Sequence, residues 1–190
     1  DERDSMGVGR DPETGDFLAP FVMAAVNTRV VRRSNALTDW TYGRDLRYRE
    51  VMKAGGGPVG AVKAGAVVGG LGGLVAGLAF PPTRMVLDRL LPDPGEGPSE
   101  QSREKGFFRM EITTTTSSGR RFRCRIEASG DPGYKATAVM LGESGLCLAL
   151  DSERTPDVAG VLTPATAIGG VLTDRLRAAG HVYEVSELAS

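Results

Sequence analysis

Two neighbouring runs of alternating residues constrain the fold of this chain more than any other feature of its sequence. In residues 108–115 and 121–128, apolar residues alternate with polar or charged ones. A period of two predicts half-buried β-strands, and the short connection predicts an antiparallel hairpin. A three-residue loop at 117–119, with Gly119 in the left-handed conformation, sets apolar face against apolar face, which a two-residue turn would not. That register predicts four pairs: Ile112 with Cys124, Met110 with Ile126, Glu111 with Arg125, and Arg109 with Glu127.

The remaining elements mix helices with short strands. Helices are predicted where a proline or a capping residue precedes an apolar stripe, over three ranges: 20–33, 134–150 and 164–180. Short strands are predicted at two further ranges: 46–52 and 181–185. Only Lys135 and Glu143 are charged in the second helix, so we expect it to be central and almost completely buried. This mixed order predicts an α+β fold with a mixed, largely antiparallel sheet packed against helices.

The segment 64–82 carries no charge, and glycine recurs in it every four residues. On a helix these glycines form a single stripe, the glycine stripe: Gly65, Gly69, Gly73 and Gly77. Three interpretations stay open, namely a face that admits a neighbouring helix, a helix that lies on a lipid surface, and a helix that spans a bilayer. We therefore predict an apolar helical insertion at about 58–91. Its second helix starts at Pro81 and has five residues predicted to face inward: Met85, Val86, Leu87, Leu90 and Leu91.

Composition excludes several classes of protein. With 190 residues the chain is long enough for one domain plus an appendage, and 1–16, which lacks periodicity, is expected to be a lead-in or linker. The 23 basic and 24 acidic residues nearly balance, so nucleic acid is not an expected partner. Two cysteines and one histidine leave no expected metal site or disulfide framework. The polar amino end lacks the layout of a secretory signal, which predicts a cytoplasmic protein.

No complete catalytic motif is recognised in the chain. The glycines at 7–9 and 70–73 do not complete a dinucleotide-binding fingerprint, and we recognise no phosphate loop or nucleophile elbow. Such a chain is either non-enzymatic or part of an enzyme. Asn27 is either a structural hydrogen-bonding node or a pocket residue. The row of Arg121, Arg123 and Arg125 is either a solvated sheet face or a site for an anionic group.

Four separated blocks of sequence carry a resemblance to a known family. They are PFVMAAVNTRVVRRSNAL at 20–37, PGEGPSE at 94–100, GDPGYKATAVM at 130–140 and GVLTPATAIG at 160–169. In this order they resemble the C-terminal half of saccharopine dehydrogenase-like oxidoreductases, in particular the trans-acting enoyl reductases of complex-lipid biosynthesis. The resemblance extends over about 17–188.

The resemblance implies a two-domain enzyme whose N-terminal Rossmann domain, absent from this chain, binds NADP. Residues 17–190 are then the C-terminal substrate and association domain, with an acyl or polyketide lipid as substrate and a homodimer as the expected assembly. We expect these residues alone to be inactive. The apolar insertion resembles a lipid-associating region of the family, which implies a protein peripheral to a membrane surface. The rival hypothesis is a non-enzymatic lipid-surface or scaffold protein that retains the fold.

Five residues form the predicted site. Asn27, Asn35, Asp131 and Gly133 are predicted to bind the substrate. Tyr134 is predicted to donate a proton or a hydrogen bond to a developing enolate, with simple packing of its ring as the alternative. The glycine stripe is predicted to contact lipid or another helix. In this hypothesis the hydride comes from NADP, and the domain closes the cleft against water.

Overall fold

The computed structural model describes residues 4–90 and 95–189, with side chains described for all of these except 87–90. The chain divides into two compact units, Asp1–Glu96 and Gly97–Ser190. Each unit contains a three-stranded antiparallel sheet together with helices. The predicted α+β class is therefore confirmed, with two small sheets in place of one.

The sheet of the first unit has the order β1-β2-β3. Its strands are Gly9–Arg10 (β1), Phe17–Pro20 (β2) and Val51–Gly55 (β3). Both neighbouring pairs are antiparallel. Strand β1 lies within the segment that was expected to be a lead-in, so part of that segment belongs to the sheet.

Three helices belong to the first unit. Helix α1, Ala24–Leu37, connects β2 to β3. Helices α2, Gly57–Ala79, and α3, Pro81–Leu90, follow β3 and correspond to the predicted apolar insertion. Only the first two turns of α2 contain buried residues, Gly60 and Ala64, and they pack on β2 and β3.

Several boundaries and orientations in this unit differ from the prediction. Pro20 does not start a helix but is the last residue of β2. The strand predicted at 46–52 lies at Val51–Gly55, where pairing with β2 sets its bounds. Met85 and Val86 are 64% and 56% exposed instead of facing inward. The predicted inward side chains of three residues lie outside the described ones: Leu87, Leu90 and Leu91.

The sheet of the second unit confirms the predicted hairpin. Strands Phe107–Thr115 (β4), Arg121–Ser129 (β5) and Val182–Leu188 (β6) lie in the order β4-β5-β6 and are antiparallel. Between β4 and β5 all four predicted pairs are present. Gly119 has a φ of +81° in the connecting loop, as the register requires.

Four α-helices belong to the second unit. They are Glu100–Lys105 (α4), Lys135–Leu150 (α5), Pro164–Ala167 (α6) and Gly169–Ala178 (α7). The helix predicted at 164–180 is thus divided at Ile168, next to two glycines that propagate a helix poorly. A core cluster forms where α5 meets α6 and α7, and it contains Cys147, Ile168 and Val171.

The prediction that the second long helix is almost completely buried is wrong. Only Ala136 and Cys147 are buried along α5, on the side that packs against α7. Leu141 and Leu148, on the other side, are 73% and 62% exposed. The low charge of α5 therefore reflects an uncovered apolar face and not a central position.

Candidate functional site

The loop that precedes α5 is fixed against the end of α4 by backbone hydrogen bonds. Gly130 N–H donates to the Gly106 carbonyl at 2.7 Å, and Asp131 N–H donates to the Arg103 carbonyl at 3.0 Å. A Cβ on Gly106 would lie 2.6 Å from the Asp131 backbone, and Gly130 has a φ of +92°. The two glycines therefore permit the close approach that positions the next four residues.

Asp131 uses its carboxylate to order the turn that leads into α5. Oδ2 accepts hydrogen bonds from the N–H groups of Gly133 and Tyr134, both at 3.1 Å, and Oδ1 accepts from Lys135 N–H at 3.2 Å. This satisfies backbone donors that a helix start leaves unpaired. Asp131 was expected to be the N-cap of this helix, with Pro132 as its first residue, but the N-cap is Tyr134 and α5 begins at Lys135. The roles of Asp131 and Gly133 in substrate binding stay predictions.

Tyr134 stands at the end of this loop with its side chain 51% exposed. Its ring lies beside Gly97, where an added Cβ would be 3.3 Å from the tyrosine Oη. Among the described residues the hydroxyl has no hydrogen-bond partner. Tyr134 therefore combines a fixed backbone with a phenolic O–H that is available to a ligand.

Asn35 has both ends of its amide engaged by backbone. It is 2% exposed, its Nδ2 donates to the Gly43 carbonyl at 2.8 Å, and its Oδ1 accepts from Tyr42 N–H at 2.9 Å. These bonds hold the turn after α1, where Asp39 and Trp40 both have positive φ. The geometry gives Asn35 a structural function, and contact with a substrate stays a prediction.

Asn27, also on α1, takes part in a half-buried polar network. Its Nδ2 donates to Glu50 Oε2 at 2.8 Å, and the Tyr48 hydroxyl donates to Glu50 Oε1 at 3.0 Å. Burial and this hydrogen bond raise the pKa of Tyr48 well above its usual range. Tyr48 is therefore a protonated donor to Glu50 and a poor acid toward any other group.

Sequence reasoning named Asn27 but missed Tyr48 and Glu50. The available signal was their spacing, because residues two apart in an extended segment project to the same side. The hydrogen bond between Asn27 on α1 and Glu50 joins residues that are 23 positions apart, and no local sequence pattern predicts such a contact.

The glycine stripe lies on the uncovered side of α2. Gly69 follows Gly60 by nine residues, which places it on the opposite side of the helix. A Cβ added at Gly65, Gly69 or Gly73 would meet nothing within 4 Å. The Gly77 carbonyl accepts a hydrogen bond from the Thr83 hydroxyl at 2.6 Å. Among the described helices, α2 is the one long and apolar enough to cross a bilayer by length and composition.

A glycine pattern at the start of α2 was missed in the sequence. Residues 55–60 match the spacing G-x-G-x-x-G, follow β3 and open α2. Gly55 and Gly57 have φ values of +91° and +63°, and a Cβ on Gly60 would lie 2.0 Å from the Gly55 carbonyl oxygen. These are the backbone requirements that the pattern serves in dinucleotide-binding proteins.

The surroundings of this turn do not fit a dinucleotide. Strand β3 pairs antiparallel with β2, so the parallel β-α-β unit of such proteins is missing from this sheet. Asp16 Oδ1 lies 3.1 Å from the position of a Cβ on Gly56, at the N-terminus of α2. A carboxylate in this place repels the phosphate that the turn would otherwise receive. The glycines therefore act as the packing contact between α2 and its sheet.

The arginine row on β5 is partly neutralised by acids on the neighbouring strands. Arg125 lies 3.5 Å from Glu127 and 3.3 Å from Glu184, and Arg109 pairs with Glu127 as predicted. The Nε of Arg123 is buried without a hydrogen-bond partner among the described residues. The face therefore resembles a solvated, salt-bridged sheet surface along most of its length. Among the described residues no group of three potential metal ligands occurs.

The fold and these sites define an α+β protein with a loop-borne tyrosine hydroxyl and two uncovered apolar helices. Comparison with known proteins finds relatives that are named trans-acting enoyl reductases. A protein of Mycobacterium ulcerans with this name is 46% identical over 191 residues, which cover 97% of this chain and 45% of the relative. A protein of Mycobacterium bovis with this name is 44% identical over 189 residues, which cover 95% and 44%.

A Mycobacterium tuberculosis protein that carries the same name provisionally is 49% identical over 180 residues, or 93% of this chain and 43% of the relative. The chain thus spans less than half the length of these relatives. No family model matches the chain, and no solved structure does. The names assign an enoyl reductase activity to these relatives.

Proposed function

We propose that this chain is the substrate-side and association portion of an NADP-dependent enoyl reductase that acts in trans on an acyl or polyketide lipid. The observation that carries this proposal is the similarity of nearly the whole chain to proteins named trans-acting enoyl reductase. The four blocks that resemble the C-terminal half of saccharopine dehydrogenase-like oxidoreductases agree with it. In this function the protein is cytoplasmic and peripheral to the membrane.

Tyr134 is the residue to which we assign contact with the reacting substrate. Reduction of an enoyl thioester places negative charge on the thioester oxygen, and a phenolic O–H stabilises that charge by hydrogen bonding. The Asp131 carboxylate holds the Tyr134 backbone in place, and the missing side chain at Gly97 leaves room beside the ring. Such positioning is what a proton or hydrogen-bond donor requires.

NADP, when bound, supplies the hydride. The glycine turn at 55–60 does not fit its phosphates, because this turn faces Asp16 and does not belong to a parallel sheet. We therefore place the cofactor on a further segment, as the length of the relatives allows. Accordingly, calorimetry should detect no micromolar binding of NADPH to this chain alone.

A chimera tests the proposed function. This chain replaces the matched 180 residues of the Mycobacterium tuberculosis relative, and NADPH oxidation is followed with a 2-enoyl thioester. We expect turnover, and we expect Tyr134→Phe to lower kcat by about 100-fold with little change in the KM for NADPH. Tyr42→Phe is the control, since Tyr42 is similarly exposed, at 48%.

Two outcomes of this experiment count against the proposal. A chimera that binds NADPH but leaves the enoyl thioester unreduced, beside an active unmodified relative, contradicts the reductase function. A Tyr134→Phe chimera with unchanged kcat contradicts only the role of Tyr134.

A second candidate function, a non-enzymatic lipid-surface protein, is favoured by one observation. Apart from Gly60 and Ala64, the described residues of α2 leave its apolar surface partly or fully exposed. Vesicle binding by a chimera without reductase activity would favour this candidate. Vesicle binding by an active chimera would assign α2 to the membrane contact of the reductase.

A further inference from the structure

One face of the β4-β5-β6 sheet carries most of the charged side chains of its three strands, and we call it the polar face. Residues that pair across the strands form rows on this face, because directly opposite side chains lie on the same side of a sheet. Two neighbouring rows have an arginine of β5 at their centre: Thr113–Arg123–Ser186 and Glu111–Arg125–Glu184. The rows therefore share a backbone setting and differ in the side chains that flank the arginine.

The arginine of the second row is compensated by carboxylates. Arg125 Nε lies 3.3 Å from Glu184 Oε2 and 3.5 Å from Glu127 Oε1. Its geometry does not make a hydrogen bond to either oxygen, so the interaction is one of charge. Because opposite charges at this distance offset each other, Arg125 has little attraction left for a further anion.

The arginine of the first row has no such compensation. Among the described residues Arg123 forms no ion pair or hydrogen bond, and its Nε is buried. Thr113 and Ser186 are both exposed, and within the described part of the chain neither hydroxyl has a hydrogen-bond partner. An N–H group that is buried without an acceptor costs free energy, and native proteins normally satisfy it. Three unused donors thus lie side by side across the sheet.

We infer that the row Thr113–Arg123–Ser186 binds an oxyanion of the phosphate type. The guanidinium presents parallel N–H donors that match two oxygens of such a group. Thr113 and Ser186 lie on the neighbouring strands, about 5 Å to either side of Arg123, and each hydroxyl can donate to a further oxygen. A carboxylate has only two oxygens, which the guanidinium engages alone. The hydroxyls therefore favour phosphate over carboxylate.

This inference goes beyond the proposed reductase function and does not depend on it, because it uses no residue that we assign to the substrate or the cofactor. The phosphate is either free or part of a phosphate monoester, since both present at least three terminal oxygens. The shared chemistry is the oxyanion, and the choice of ligand in the experiment separates the two sources.

Nuclear magnetic resonance of the isotope-labelled full chain tests the site. Inorganic phosphate is added at constant ionic strength, because at low salt any anion is attracted to surface arginines. We expect a saturable shift of the Arg123 Nε–H signal and of the backbone amide signals of β5. Acetate should produce no comparable shift. Acetate that saturates the same signals at the same concentration would overturn the assignment to phosphate.

Variants of the row separate the guanidinium geometry from charge alone. Arg123→Gln should weaken phosphate binding by at least about 10-fold, measured from the amide signals of β5. Arg123→Lys keeps the charge but lacks the parallel donors, so it should weaken binding by about fivefold or more. The matched control removes the pair in the next row without changing the net charge: Arg125→Gln combined with Glu184→Gln should alter the affinity by less than about twofold.

The flanking hydroxyls are tested in the same way. Thr113→Val combined with Ser186→Ala should weaken phosphate binding by about fivefold, and the exposure of both residues leaves the fold intact. The spectrum of each variant away from the polar face should match that of the wild type. Unchanged phosphate binding by Arg123→Gln or by Arg123→Lys would overturn the inference, as would an equal loss in the control.

The source of the phosphate follows from a second titration, with glycerol phosphate. Tighter binding of glycerol phosphate than of inorganic phosphate, lost in Arg123→Gln, supports the site and assigns it to a phosphate monoester. The reverse order, with the same loss, supports the site and assigns it to free phosphate. A wild-type chain that binds neither ligand would show that the inference is wrong.

Discussion

Helices α2 and α5 are both long, nearly uncharged and glycine-containing, yet they meet their units in different ways. Helix α2 is held by its first two turns, where Gly60 permits contact with the Gly55 carbonyl. Helix α5 is held in its C-terminal half by the buried Cys147 and by the pair between Glu143 and Arg175. Low charge therefore does not reveal how a helix is attached or which side of it is covered.

The uncovered sides of the two helices also differ in what they offer a partner. The outer side of α2 carries the glycine stripe, which gives little transfer free energy but permits close backbone approach. The exposed side of α5 carries Leu141 and Leu148. A leucine stabilises an interface by roughly 1.5–3 kcal/mol when it is fully buried. We therefore expect α5 to associate with protein in water, whereas α2 needs an apolar medium or a second helix.

The largest expected effect on stability comes from Gly60→Ala on α2, and Gly69→Ala on the same helix is its control. Gly60→Ala places a Cβ 2.0 Å from the Gly55 carbonyl oxygen, so the helix must shift and the free energy of unfolding should fall by about 3 kcal/mol or more. Gly69→Ala adds a Cβ in open space and should raise stability by up to about 1 kcal/mol, because alanine favours helix. Urea unfolding measures both. Equal effects would mean that α2 is not anchored through Gly60.

A smaller contrast is expected between covered and uncovered aliphatic residues of the second unit. Ile168 belongs to the core cluster and is 3% exposed. Ile168→Ala should lower the free energy of unfolding by about 2–3 kcal/mol, because it removes buried apolar surface and leaves a cavity. Leu148→Ala should cost less than about 0.5 kcal/mol, because Leu148 is already 62% exposed. Thermal and urea unfolding of the chain alone provide the comparison. A large loss at Leu148 would show that its face is covered within the chain.

Vesicle binding tests which of the two helices contacts lipid. If α2 contacts lipid, Val62→Glu combined with Val75→Glu should reduce flotation with phosphatidylcholine vesicles by about tenfold or more, since charged side chains are costly in hydrocarbon. Leu141→Glu combined with Leu148→Glu should leave flotation unchanged. Gly69→Leu combined with Gly73→Leu should preserve or strengthen it, while disrupting any association through the glycine stripe. A reversed pattern would assign lipid contact to α5.

The hairpin was predictable because its information is local. Alternation, opposed charges and Gly119 all lie within a short stretch and support the same register. The start of α1 was not predictable, because Pro20 suits the end of a strand as well as the first position of a helix. Only the pairing of β2 with β3 decides between these two environments.

The site was less predictable than the fold. Asp131 was expected to cap the helix directly, whereas its carboxylate accepts hydrogen bonds in the turn before α5, whose N-cap is Tyr134. The contact of Asn27 with Glu50 depends on tertiary packing across a turn and an extended segment. The direction in which α5 faces depends on Arg175, which lies on another helix, so the apolar composition of α5 alone could not reveal its uncovered side.

The smallest expected effect is the pH dependence of stability. Low pH should weaken the ion pairs of Arg175 that hold α5, and it should leave the Gly60 contact of α2 unchanged. The hydrogen bond from Arg175 is the main cause that holds the pKa of Asp151 below its ordinary value of 3.8. The folded state therefore favours the ionised carboxylate. This stabilisation is present above about pH 4 and is lost as the pH falls through the folded pKa. By contrast, the backbone contact at Gly60 contains no titrating group.

Asp151→Asn should accordingly lower the urea midpoint near neutral pH, and the difference from wild type should shrink as the pH falls below about 4. Glu187→Gln is the matched control, because Glu187 pairs with Arg120 at 2.8 Å but is 48% exposed at its side chain. Its effect should be smaller, since solvent weakens exposed ion pairs. A difference for Asp151→Asn that persists unchanged in acid would mean that Asp151 contributes packing and not charge, and the proposed attachment of α5 by ion pairs would then be wrong.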